Sequence, residues 1–125
     1  MHAGANAYSR IAQAVADPRD LEAQLLLKAA TGIQAYIDGK VSSQKQIVEA
    51  INYNLKVWKL FSTAMGDPKN PLPDDIKSNV VNLGVFVIGH SLNQLTASEI
   101  DAESLKILVK INSDLAAGLR GSAAA

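Results

Sequence analysis

Cysteine is absent, which removes disulfides and thiol chemistry at a stroke. Histidine is nearly absent: His2 and His90 are the only imidazoles, too few to build a metal site without several carboxylates converging on them. An excess of charge of either sign is missing too. Twelve basic residues balance twelve acidic ones, and no basic cluster exceeds a pair such as Lys56 and Lys59, so the electrostatic footprint of a nucleic-acid binder is lacking. No apolar run is long enough to cross a bilayer, the longest being Val80 to Gly89. The first residues show no charged stretch leading into an apolar one, so no secretory signal is read there and the expected compartment is the cytoplasm. There is no Gly-x-Ser-x-Gly elbow, no Gly-rich phosphate loop and no dinucleotide fingerprint. Asp67, Asp74 and Asp75 cluster near prolines, where turn formation and helix capping account for them without an acid/base dyad. Nothing marks an enzyme, and no cofactor or metal is implied.

What is present is apolar mass at helical spacing. Hydrophobic residues make up 48% of 125, enough for the core of a single domain over 1–125, with 5–119 as its ordered part and 120–125 as a tail without function. Tyr8, Ile11, Ala12 and Val15 recur at i, i+3, i+4 and i+7, which predicts a short amphipathic helix that must dock on the domain or on a partner. Asp17-Pro18-Arg19-Asp20 ends it and opens a helix to about Ile37, with Asp17 as N-cap and Leu21, Leu25, Ala29, Ile33 and Tyr36 on one face. Leu26, Ala30 and Ile37 widen that face. Gly39 stops the helix. Ser43 and Gln46 resemble a capping box for a helix to about Met65, striped by Ile47, Ile51, Leu55, Trp58 and Phe61 or Ser62, with Val48, Val57 and Leu60 off the line. The proline-rich linker Gly66 to Pro73 predicts a stiff turn held to the core by Leu72. A helix from Asp74 to Ala97 follows, its Val80–Gly89 run so apolar that the other helices are expected to surround it. Asp101 caps the last helix, which carries Leu105, Leu108, Ile111, Leu115 and Leu119. The predicted class is all-α: a small helical bundle of four long helices plus a short N-terminal one.

Trp58 and Phe61 lie one turn apart beside Leu72 and Pro73. Aromatics at this spacing pack a core, and they can also floor a groove for a partner helix. His90 is expected as a packing histidine hydrogen-bonded at a helix boundary. The candidate partner-binding residues are Tyr8, Ile11, Trp58, Phe61, Leu72, Pro73 and His90.

The ordered series Asn6-Ala7-Tyr8, Pro18-Arg19-Asp20, Asn54-x3-Trp58-x2-Phe61, Asp67-Pro68-x-Asn70-x-Leu72-Pro73, Leu83-x3-Val87-x2-His90 and Ile111-Asn112-x2-Leu115 resembles the FlaF family of alphaproteobacterial flagellar biosynthesis regulators. Phe86 and Pro71 depart from it, standing where the family more often has a bulkier aromatic and a polar residue. The resemblance implies a cytoplasmic, non-enzymatic protein that acts with the regulator FlbT in flagellin production and filament assembly. A helical domain with an amphipathic leading segment further suggests, as the mechanism, a chaperone-like binder that serves export by holding flagellin's terminal segments in helical form. Two alternatives stay open, an RNA-binding regulator touching flagellin messenger directly and an adaptor for FlbT alone. Lys45, Lys56, Lys59, Lys69 and Lys77 would serve the first, but Glu49, Asp67, Asp74 and Asp75 sit among them.

Overall fold

The computed structural model describes residues 18–124, with side chains through Gly121. Asp17 and the leading segment with Tyr8 and Ile11 lie outside the described residues. Four helices and no strand are present among those described: α1 (Pro18–Ile37), α2 (Gln44–Met65), α3 (Asp74–Thr96) and α4 (Ala102–Ala124). α4 continues through the stretch expected as a tail.

Each boundary has a local cause. Gly39 takes φ 76°, and the amides of Gly39 and Lys40 donate back to the carbonyls of Tyr36 and Ala35, the paired bonds of a left-handed helix stop. Ser43 Oγ accepts from the Gln46 amide to open α2. In the next linker Asn70 Oδ1 accepts from Leu72 N while its Nδ2 donates to Ala64 O, so the turn is clipped to the end of α2. Leu72 packs against the core as expected. Pro73 occupies the N-cap of α3, ahead of Asp74 and Asp75 in its first turn. Asp101 opens α4, its carboxylate accepting from the Glu103 amide and the Ser104 hydroxyl. Asp101→Ala is therefore expected to cost about 1 kcal/mol in chemical denaturation. A loss within error would mean that packing alone holds this end.

Packing is uneven. α1 lies most extensively on α4 and also along α2, and α3 packs along α2 alone, meeting α4 at His90. The core is centred on Leu26, Ile33, Ile47, Ile51, Trp58, Val87, Leu105 and Leu108. On α1 the centre of the buried face is Leu26 and Ile33, with Leu21 and Leu25 only half-buried, a rotation from the expected stripe. Val57, expected off the line, is buried because α1 covers that side of α2.

The main correction concerns α3. Its apolar middle is not surrounded: Val80, Gly84 and Val87 face inward, whereas Val81, Val85 and Phe86 are exposed. Two apolar faces demand two covering neighbours, and α3 has one continuous neighbour, α2.

Candidate functional site

Helical residues step by about 100° around the axis, so a helix with two apolar faces shows both in its sequence. On α3 the inner face carries Val80, Gly84, Val87 and Ser91. Gly84 lets α2 approach closely, since a Cβ there would stand 2.8 Å from Ser62 Oγ and 3.4 Å from Trp58 Cε3. One flank carries Val81, Val85, Ile88 and Leu92 at i, i+4, i+7 and i+11, with Val85 70% exposed and Leu92 48%. The opposite flank carries Phe86 and His90, whose rings stack with centroids 5.4 Å apart. His90 Nε2 lies 2.7 Å from Ser104 O, which ties this flank to the start of α4, as expected of a packing histidine.

The first flank faces outward beside α2. Ser62 and Trp58 meet Gly84, while Val57 and Phe61 line the crevice against α1, so α3 sits on the Ser62 side of α2. Continuing outward from Ser62, the same side of α2 presents Lys59 and Lys56, both exposed. By helical geometry this makes an outer groove, with the aliphatic flank of α3 as one wall, Lys59 nearest to it on α2 and Lys56 further round. A recess of about 350 Å³ lined by Met65, Lys77, Ser78, Val81 and Asn82 opens at its head.

Inside the protein, polar groups do structural work. Trp58 Nε1 donates to Asn112 Oδ1 at 2.9 Å, and Asn112 Nδ2 donates to Leu26 O and Asn54 Oδ1. One amide thus ties α1, α2 and α4 together, with Trp58, Asn54 and Asn112 all fully buried. The crevice between α1 and α2 encloses only about 10 Å³, too little for a ligand. Among the described residues no group of His, Cys, Asp and Glu is placed to hold a metal, and no helix is long and apolar enough to cross a membrane.

The sequence-derived candidates separate accordingly. Trp58 and Phe61 are core residues in edge-to-face contact, out of direct reach of a partner. Leu72 is half-buried, Pro73 exposed and His90 half-buried. Tyr8 and Ile11 fall outside the described residues. The stripe of exposed Val81, Val85 and Leu92 with half-buried Ile88 is visible as spacing in the sequence, but a continuous apolar run suggests complete burial.

These features define an all-α protein whose polar motif residues tie the core together and whose third helix shows an uncovered apolar face. The family model described as Flagellar protein FlaF matches residues 4–119, and the chain belongs to that family. No solved structure matches it.

Proposed function

We propose that this flagellar protein works in the cytoplasm as a chaperone-like binder of flagellin, holding its terminal amphipathic segments in helical form and acting with FlbT in flagellin production and export. The observation that carries this reading is the uncovered side of α3, where Val81, Val85 and Leu92 stay exposed along one flank and Phe86 on the other. Clustered exposed aliphatics on a small chain are costly unless a partner covers them. Segments that fold only on assembly match such a face, because an apolar helix surface supplies what they otherwise lack. Leu72 and Pro73 precede α3 and His90 lies on it; with Tyr8 and Ile11 of the leading segment they complete the proposed partner-binding set. Trp58 and Phe61 contribute by fixing α2, on which α3 rests.

Isothermal titration with intact flagellin, with flagellin lacking its terminal segments, and with a flagellin messenger leader tests the reading. Binding to intact flagellin only is expected. Equal binding of the truncated form removes the terminal-segment mechanism, and silence toward flagellin with binding to FlbT supports the adaptor. Val85→Asp with Phe86→Ser is expected to weaken flagellin binding by about tenfold or more. Its melting temperature should stay within about 3 °C of the parent, since both side chains are exposed. Unchanged affinity would take α3 out of the interface.

A further inference from the structure

We propose that the outer groove between α2 and α3 is a docking site for an amphipathic helix with an acidic flank, contributed by a protein partner. The identity of that partner as flagellin rests on the reading above, whereas its chemistry follows from the groove. Val81, Val85, Ile88 and Leu92 form a straight aliphatic stripe over three turns, the footprint of a helix that offers its own apolar residues every three to four positions. By helical geometry Lys59 stands beside the middle of the stripe and Lys56 about 60° further round α2, both exposed and in no ion pair among the described residues. Their charge is not cancelled locally. Asp74 and Asp75 belong to the first turn of α3, and Asp67 accepts from the Lys69 amide in the linker. Glu49 lies on the same face of α2 as Lys56, but seven residues earlier, about 10 Å along the axis. At physiological salt that separation exceeds the screening length of about 8 Å.

Other occupants fit less well. The chain's own leading segment, residues 5–16, carries Arg10 and no carboxylate, so it would set a cation against the lysine rim. A second copy docked groove to groove about a two-fold axis would bring lysines together. Single-stranded RNA would find positive charge but no ring along the stripe to stack on, since Phe86 lies on the opposite flank of α3. An acidic amphipathic helix satisfies both walls at once, with apolar contact for affinity and carboxylates toward α2 for orientation.

The test uses the full chain and two fluorescent helical peptides of about 18 residues. Both carry leucine at i, i+4, i+7 and i+11; one has glutamates on the flank and the other lysines. Anisotropy at physiological salt is expected to show the acidic peptide binding about tenfold more tightly, the gap narrowing as salt rises further. The pair Lys56→Glu and Lys59→Glu should invert the preference, and Val85→Asp should abolish binding of both, with unchanged circular dichroism in each case. Equal affinity for the two peptides, binding of neither, or indifference to Val85→Asp overturns the proposal. So does lysine-dependent binding of a labelled oligouridine without acidic-peptide binding, which would assign the rim to RNA. A parallel titration with intact flagellin separates this proposal from the functional reading. Flagellin binding that ignores both lysine changes overturns the docking chemistry alone. Acidic-peptide binding by a chain that is silent toward flagellin supports the groove and removes flagellin as its partner.

Discussion

Asn112→Ala is expected to lower the stability of the protein by about 3–4 kcal/mol, because one buried amide satisfies several partners at once. Removing it leaves the Trp58 indole N–H without an acceptor, Asn54 Oδ1 without its donor and a void at the centre of α4. An unpaired buried polar group costs about 1–3 kcal/mol, and the void adds to that. For a chain of this size the melting temperature should fall by about 10–15 °C. Asn54→Ala should cost less, because Asn54 Nδ2 has no partner already and only one bond to Asn112 is lost. Trp58→Phe combined with Asn112→Ala should cost less than the sum of the two, since both remove the same bond. Strict additivity in thermal melts, or a single-variant loss below about 1 kcal/mol, would show that the amide is not the cross-tie the geometry describes.

Gly84→Leu is the second large effect, and it acts on α3 alone. Even an added Cβ stands 2.8 Å from Ser62 Oγ and 3.4 Å from the Trp58 ring. Gly84→Ala is expected to be close to neutral. The Ser62 hydroxyl can rotate away, and replacing a mid-helix glycine by alanine regains up to about 1 kcal/mol of helix propensity. Leucine has no such escape, because the indole is held by Asn112 and cannot retreat. The helices must separate, at an expected cost of about 3 kcal/mol. Since α3 packs along α2 only, the loss should be local: amide exchange should accelerate across α3 while α1 and α4 stay protected. Uniform acceleration over all four helices would mean that α3 is integral to a single cooperative unit, and unchanged exchange would mean that the contact at Gly84 is slack. If the uncovered face of α3 is the partner surface, this variant should also bind flagellin poorly, because the stripe is displaced from its lysine rim.

The local rules at helix ends were legible in the sequence because they depend on neighbours along the chain. Gly39, Ser43 and Asp101 each do what their residue type and spacing predict, and α1 begins and ends at Pro18 and Ile37 as expected. Burial of Trp58 and Phe61 followed from their stripe on α2. The role of Asn54 and Asn112 was not legible: they meet across 58 residues of sequence, and no local pattern reveals which asparagine will face which. The uncovered face of α3 was misread for a related reason. Periodicity shows that a helix has apolar residues on two sides, but the number of neighbours available to cover them is a property of the whole assembly.

The sequence by itself determined the all-α class, the four helices and their stops, and the family, because helix formation, capping and motif order are short-range. Only the tertiary structure decided what each polar and apolar residue is for. Close packing spends Trp58, Asn54 and Asn112 on the interior and leaves Val85 and Leu92 outside, since α2 can cover one side of α3 and not the other.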